Sequence, residues 1–165
     1  MTRDDIVALF IENAAKAAAE MHRVRSNAEL NEVISKTTRG QGPIYCPGMT
    51  RKEKAVIIPE GRRSEDSAAS TVCIDEALGA IAETGSIVLS SMGGKPVQAG
   101  LLAAHHIAIV SSETIFENLD QFFSSWEGML PTNITLETGP SRTADIELTL
   151  TIGVHGPERL SIIVF

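Results

Sequence analysis

The chain of 165 residues carries a formal net charge of −7, from 14 basic and 21 acidic residues. This length predicts a single domain that buries its own core without metal or disulfide support. The acidic balance disfavours a general nucleic-acid surface, and no apolar run approaches the roughly 18 residues of a membrane-spanning segment.

The beginning of the chain does not resemble an export signal. Arg3 is followed at once by Asp4 and Asp5, and the apolar positions after them have helical spacing, unlike the continuous apolar core of a signal peptide. We therefore expect a cytoplasmic protein with neither membrane nor nucleic acid among its partners.

The first part of the chain is predicted to be helical. Apolar residues recur at three- and four-residue spacing from Asp4 to Val24, which predicts a long amphipathic helix. Asn27 is a suitable cap for a second helix that ends before Gly40. The N-terminal helical segment then covers residues 4–38.

The region 40–70 is predicted to be mostly turns and loops. Residues 40–54 contain three glycines and two prolines, which favours turns around a short strand at 44–46. A short buried strand is predicted at 55–58. The charged stretches at 51–54 and 59–70 are interpreted as solvated loops.

From Thr71 onward, apolar runs alternate with helical patterns. Strands are predicted at 71–74, 86–90 and 107–110, and helices at 75–83 and 113–126. Asp75 is interpreted as the cap of the first of these helices. The alternation predicts a three-layer α/β fold with a largely parallel sheet.

A glycine pair and a lysine, Gly93-Gly94-Lys95, lie in the connection between two of these strands. Such a segment suits phosphate binding, but its spacing differs from that of a P-loop, and a plain connecting loop is the alternative. The two cysteines, Cys46 and Cys73, are 27 positions apart and have no close Cys or His neighbours. We expect no metal or cluster in this chain, and Cys73 to be a core residue.

The last part of the chain is predicted to form a strand, a turn, a helix and a final strand. An alternating run at 134–138 ends at Gly139-Pro140, because proline cannot donate to a sheet ladder. Ser141 and Thr143 are both good helix caps, and Asp145 comes in the first turn, where the helix dipole favours negative charge. The final strand is predicted at 160–165.

This turn combines hydroxyl groups, free backbone N–H groups and a guanidinium. Ser141, Arg142, Thr143 and Asp145 are therefore candidates for binding a small carboxylate or phosphate. The alternative is that Ser141 or Thr143 only caps the helix and Arg142 pairs with a nearby acid.

Several motifs occur here in an order that resembles the LUD-domain family of the lactate utilization protein C type. They are GPSRTADIE at 139–147, GVHGP at 153–157, AETGSIVL at 82–89 and HIAIV at 106–110. The resemblance runs from about Thr71 to the end of the chain. It implies a single LUD domain over residues 1–165, with a fold related to sugar-phosphate isomerases and CoA transferases (NagB/RpiA/CoA transferase-like).

The resemblance also implies roles for particular residues. In the wider group of folds a carboxylate acts as base or nucleophile, and Glu83 is the first candidate. Thr84 and Gly85 follow it, and this loop is expected to share a crevice with the turn at Arg142, so that both bind one anion.

Oxidation of lactate needs a proton acceptor and an electron acceptor. His155 is a candidate for the proton, with Arg142 holding the carboxylate, although His155 is equally interpreted as a loop residue bonded to backbone. No residue motif in the chain accepts electrons. The resemblance implies that iron–sulfur clusters in partner subunits do so.

Two functions from different classes follow from these observations. The first is an accessory, non-redox subunit of an iron–sulfur system that oxidises L-lactate to pyruvate. The second is a free-standing isomerase or CoA-transferase-like enzyme that uses Glu83 on an anionic small molecule.

The sequence departs from the family in its short first part, before Thr71, and in Ala103-Ala104, where a proline is expected near the histidine strand.

Overall fold

The computed structural model describes residues 1–144, 150–152 and 156–165. Its helices are α1 (Arg3–Lys16), α2 (Asn27–Thr37), α3 (Arg51–Lys54), α4 (Gln98–Leu102) and α5 (Leu119–Ser124). Its strands are β1 (Glu20–Arg23), β2 (Ile44–Tyr45), β3 (Arg63–Ser64), β4 (Val72–Glu76), β5 (Gly79–Ile81), β6 (Ser86–Ser90), β7 (His105–Val110), β8 (Ile115–Phe116), β9 (Ile134–Glu137), β10 (Arg142–Ala144), β11 (Leu150–Ile152) and β12 (Arg159–Val164).

The main sheet has six strands in the order β1-β12-β7-β4-β2-β3, and every pair in it is parallel. This confirms the predicted α/β class with a largely parallel sheet. A second sheet of four strands has the order β8-β5-β6-β9, and β10 pairs with β11 in an antiparallel hairpin. The second sheet was not predicted from the sequence.

Strand β7 shows how the layers pack, because its side chains alternate between two cores. Ile107 and Ile109 pack in the cluster that contains Leu30 of α2. Ala108 and Val110 pack in the other cluster, with α1 and strands of the second sheet. The second sheet therefore lies between the main sheet and α5, whose Phe122 packs on its outer face.

The predicted N-terminal helix is wrong beyond Lys16. The chain leaves the helix at Ala18, which has a positive φ of 69°, and residues 20–23 form β1 at the edge of the main sheet. Helical spacing of the apolar residues continues through this segment, but parallel pairing with β12 gives its backbone hydrogen-bond partners in the sheet. The second helix is confirmed at Asn27–Thr37, but its cap is Ser26 and not the predicted Asn27, because the Ser26 hydroxyl accepts from the N–H of Glu29.

Two other helix predictions and one strand prediction are also wrong. Residues 75–83 form the end of β4 and all of β5, and residues 113–126 divide into a 3-10 turn, β8 and the short helix α5. Residues 55–58 contain no strand, whereas the charged stretch 51–54 forms helix α3. The strands predicted at 44–46, 71–74, 86–90 and 107–110 are confirmed within a residue or two at each end.

The turn after Gly139 opens a hairpin, so the helix predicted there is wrong. Strand β9 ends before this turn as expected, but Arg142–Ala144 then pairs with Leu150–Ile152. In the sequence, apolar residues alternate with polar ones from Ile146 to Ile152, a pattern that favours a strand over a helix. The final predicted strand is confirmed as β12.

Among the residues that the structure describes, no helix combines the length and the apolar character needed to cross a bilayer.

Candidate functional site

A buried histidine held between two carboxylates is the centre of the site. His106, the second residue of β7, is fully buried on the face that packs toward the second sheet. Its Nδ1–H donates to Glu137 Oε2 at 2.7 Å, and its Nε2–H donates to Asp75 Oδ1 at 3.0 Å. Each side chain comes from a different strand, so this triad forms only when both sheets are assembled.

The two carboxylates keep His106 positively charged. Burial alone lowers the pKa of a histidine, but attraction to Asp75 and Glu137 outweighs it and raises the pKa of His106 to about 10. Burial likewise raises the pKa of Asp75, yet the charge and hydrogen bond of His106 bring it below its ordinary value. The imidazole is therefore an imidazolium at neutral pH, and both of its nitrogens are donors.

A second buried ion pair extends the site. Lys95 Nζ lies 2.9 Å from Glu53 Oε1 and 3.9 Å from Asp75 Oδ2, and it also donates to the carbonyl of Glu76. The other oxygen of Glu53 accepts the backbone N–H groups of Met49 and Thr50. Because its ammonium is bound to a buried carboxylate, Lys95 does not serve as the phosphate-binding group considered from its glycine-rich segment.

The charges of this cluster do not balance. Glu53, Asp75 and Glu137 contribute three carboxylates, and Lys95 and His106 contribute two cations. Buried charges are costly unless they are paired and hydrogen-bonded. The carboxylates of this cluster therefore outnumber its cations by one.

Helix α4 fits over the histidine because of a glycine. A Cβ built on Gly100 would lie 2.5 Å from His106 Nε2. No real Cβ contact is that short, so only glycine lets the helix cover the ring in this position.

A cavity of about 430 Å³ adjoins the triad. Its described lining residues are Leu101, Leu136, Glu137, Thr138, Gly139, Pro140, Ser141, Arg142, Gly156 and Pro157. Glu137 is only 6% exposed, and its second oxygen, Oε1, is buried without a hydrogen-bond partner among the described residues. The cavity lies toward the amino ends of β7 and β12, since Pro157 precedes β12 and His106 is near the start of β7.

The structure places part of the predicted anion site on this cavity. Ser141 and Arg142 line it, and Arg142 is exposed, with Nη2 3.4 Å from the carbonyl of Ala17. The backbone of Thr143 is in β10. Asp145 and His155 lie outside the described residues.

Glu83 lies elsewhere. It is exposed and lines a different cavity, with Leu9, Asn13, Glu117 and Asn118. The crevice predicted to join Glu83 with the turn at Arg142 is therefore not seen in the described residues, which place the two side chains in separate cavities.

The residues after Glu83 have structural contacts. Thr84 Oγ1 lies 2.7 Å from Ser86 Oγ, which lies 2.6 Å from Thr138 Oγ1. Gly85 has a φ of 67°, and a Cβ there would lie 2.3 Å from the backbone nitrogen of Ala14 in α1. Gly85 therefore allows α1 to approach the second sheet.

Both cysteines lie in the core, as predicted for Cys73. Burial raises the pKa of Cys46 to about 11 and that of Cys73 well above its ordinary value. Thiols in such surroundings are poor nucleophiles and poor metal ligands.

Comparisons with known proteins match the part of the chain that carries the motifs at 82–89, 106–110, 139–147 and 153–157. The sequence profile of the LUD domain matches residues 59–165, more than half of the chain. The chain belongs to the LUD-domain family. Lactate utilization protein C of Macrococcus caseolyticus is 42% identical over 90 residues, which cover 51% of this chain and 39% of that protein. Lactate utilization protein C of Shouchella clausii is 38% identical over 89 residues, with the same shares of each chain.

A solved structure supports the fold over the whole length of this LUD domain. The crystal structure of a DUF162 family protein from Deinococcus radiodurans has a TM-score of 0.67 and 21% sequence identity, covering 99% of this chain and 98% of that one. The curated relatives are longer, since the chain spans only about two fifths of their length, 39% in each case. The resemblance inferred from the motifs is confirmed.

The triad of this LUD domain was missed in the sequence. The sequence patterns make Asp75 a helix cap, place His106 just before the predicted strand at 107–110, and give Glu137 no role. The available signal was a charged or titratable residue inside an apolar strand, as in VCIDE at 72–76 and HHIAIV at 105–110. Buried charges of this kind need partners, and partners on other strands are not visible in local sequence.

Proposed function

We propose that this LUD domain serves lactate utilization as an accessory subunit without a redox centre of its own. The curated relatives named lactate utilization protein C, at 38% and 42% identity over about half of the chain, support this role. The same proposal places the protein in the cytoplasm.

The electron acceptor is proposed to be a partner. Oxidation of lactate to pyruvate releases a pair of electrons, and iron–sulfur subunits that assemble with this chain would take them. In this chain, Cys46 and Cys73 are buried thiols with raised pKa values, which are unsuited to hold a cluster.

The chain's own contribution is proposed to be a binding site for a small carboxylate. The observation that carries this proposal is the cavity of about 430 Å³ that has Arg142 and Ser141 on its wall and the His106–Glu137 pair beside it. A guanidinium binds a carboxylate through two parallel hydrogen bonds, which fixes the orientation of the ligand.

Substitution Arg142→Ala tests this site. Lactate at about 100 times its Kd stabilises a protein by about 2.7 kcal/mol, and we expect the variant to lose this stabilisation. Thermal unfolding of the full chain with and without L-lactate measures the effect. Arg39→Ala is the matched control, because Arg39 is also exposed but does not line this cavity. Equal stabilisation of wild type and Arg142→Ala would refute the site.

Purification from native cells tests the accessory role. Copurification of brown, cluster-bearing subunits supports the proposal, and a colourless single species contradicts a stable complex. The second outcome would favour the free-standing isomerase or CoA-transferase-like enzyme. The separation of Glu83 from the Arg142 cavity makes that enzyme the weaker candidate.

A further inference from the structure

Helix α5 and the loop after it hold large apolar side chains in solvent. Met129 is 92% exposed, Leu130 is 52% exposed, and Phe123, in the helix itself, is 47% exposed. Single apolar residues are common on protein surfaces, whereas a contiguous group of them marks an interaction surface. The contacts of this segment show that the group is contiguous.

One aromatic cluster holds both the helix and the loop. The rings of Phe123 and Trp126 pack edge-on against Phe122, with ring centroids 5.0 Å and 5.9 Å away. The loop that follows Trp126 returns to the same cluster at Ile134. The loop is thus held at both ends on this cluster, and its exposed side chains extend the apolar group. The α5 surface is defined here as Phe123, Trp126, Met129 and Leu130.

The charged side chains that flank the α5 surface are acidic. No lysine or arginine occurs from residue 96 to residue 141. Asp120 lies one helical turn before Phe123, Glu127 lies in the loop, and both are exposed. Neither carboxylate forms an ion pair with a residue that the structure describes. Arg3 reaches β8 on this side of the molecule, but it donates to the carbonyl of Ile115.

This charge decides which kind of partner the α5 surface fits. Carboxylates are repelled by an anionic membrane and by the phosphates of a nucleic acid. A second copy bound through the same face about a two-fold axis would bring like charges together. An apolar surface with acidic flanks is complementary to an amphipathic helix whose polar face is rich in lysine and arginine.

We propose that the α5 surface docks a basic amphipathic helix of a partner protein. The apolar stripe of that helix contacts Phe123, Met129 and Leu130. Its cations face Asp120 and Glu127. Aromatic and methionine side chains are enriched at interfaces, and methionine adapts to apolar partners of irregular shape. The inference goes beyond the proposed function, because it depends on the α5 surface and on neither lactate nor the carboxylate cavity.

Trp126 is the single tryptophan of the chain, so its fluorescence reports on this surface. The probe is a synthetic peptide of about 18 leucine and lysine residues at helical spacing, without tryptophan, added to the full chain. We expect the emission of Trp126 to shift to shorter wavelength and to saturate as the peptide covers the ring. Raising the salt from about 0.05 M to about 0.5 M should weaken binding. The matching peptide of leucine and glutamate should bind at least about tenfold more weakly.

Substitution of the exposed apolar residues tests their part in docking. Met129→Gln combined with Leu130→Gln should weaken binding of the leucine–lysine peptide by about tenfold or more. Both side chains lie in solvent, so this variant should fold like the wild type. Ile57→Gln is the matched control, because Ile57 is 72% exposed and lies outside the α5 surface. This control should bind the peptide as the wild type does.

Substitution of the acidic residues tests the choice of partner. Asp120→Asn combined with Glu127→Gln should remove most of the preference for the lysine peptide over the glutamate peptide. Glu60→Gln combined with Glu65→Gln is the matched control, because it removes the same charge from two exposed positions elsewhere on the chain. This control should keep the wild-type preference.

Several outcomes would overturn the inference. Absence of binding, equal binding of the two peptides, or unchanged binding by the Met129→Gln and Leu130→Gln variant would each do so. A shift of the Trp126 emission that grows with protein concentration alone would assign the surface to a second copy. A shift on addition of phosphatidylglycerol vesicles would assign it to a membrane. All of these results leave the carboxylate site standing, since Arg142→Ala tests that site separately.

Discussion

Two adjacent histidines show how far environment determines the chemistry of a residue. His105 and His106 point to opposite faces of β7. Burial, aided by repulsion from Arg159, lowers the pKa of His105 to about 4, and the hydrogen-bond partners of the ring, Gln41 and Ser161, are neutral. His106 faces two carboxylates, and its pKa is raised to about 10. Neighbours in sequence therefore carry different charges at neutral pH.

We expect nuclear magnetic resonance titration to show this difference directly. The ring of His105 should remain neutral and that of His106 protonated between about pH 6 and about pH 8, because their pKa values are about 4 and about 10. A shared transition near the ordinary value of 6.5 would contradict the opposite environments.

Removal of one carboxylate from the triad should be costly. In Asp75→Asn, a fully buried imidazolium loses a charged partner, and breaking such a pair costs about 3–5 kcal/mol. Urea unfolding measures the loss, and the pKa of His106 should fall in the same variant. Asp120→Asn is the control, because Asp120 is exposed and should change stability by less than about 0.5 kcal/mol. An equally small change in the free energy of unfolding of both variants would show that Asp75 does not stabilise the positive charge of His106.

At the scale of elements, helix α4 is a cover for the triad. It is only five residues long, and Ala99 and Gly100 are its buried residues. Its contacts are with β4 and β7, the strands that carry Asp75 and His106. A short helix of this kind is held by packing, because its own hydrogen bonds are too few to stabilise it.

Substitution Gly100→Ala should therefore destabilise the protein, although alanine normally favours a helix over glycine by about 1 kcal/mol. The new Cβ would lie 2.5 Å from His106 Nε2, and overpacking of a core costs about 1–3 kcal/mol. Thermal unfolding measures the change. Gln98→Ala in the same helix is the control, since Gln98 is exposed and should tolerate alanine. Stabilisation by Gly100→Ala would show that the helix does not press on the ring.

At the scale of the whole molecule, the two histidines make stability depend on pH in opposite directions. The folded pKa of His105, about 4, lies below its ordinary value of 6.5, so the unfolded chain binds more protons between these values. Stability from His105 is present above pH 6.5 and is lost as the pH falls toward 4. The lowered pKa of Asp75 adds a further loss below its ordinary value of 3.8.

On the alkaline side His106 dominates. Its folded pKa of about 10 lies above 6.5, so its contribution is complete below pH 6.5 and is lost as the pH rises toward 10. We expect the free energy of unfolding, measured in urea across this range, to be highest near pH 6.5 and to fall on both sides. A free energy of unfolding that does not change between about pH 5 and about pH 9 would contradict the shifted pKa values of both histidines.

The sequence by itself determined the class of the fold and most of the main sheet. Buried, largely apolar runs such as those of β7 and β12 bury both faces, and this pattern predicts the strands of a parallel sheet. The family motifs likewise pointed to the turn at Arg142, which lies on the cavity. Local patterns sufficed here because each depends on residues that are close together in the chain.

Only the tertiary structure decided the second sheet and the site. Strand β5 formed where a helix was predicted because it pairs with β8, which lies far along the chain, and local propensity does not register such a partner. The hairpin of β10 and β11 also replaced a predicted helix. Asp75, His106 and Glu137 are separated by 31 residues at each step, and they meet only across two sheets. Charge pairing in a buried interior is a property of the assembled chain, and for that reason the triad was found in the structure and not in the sequence.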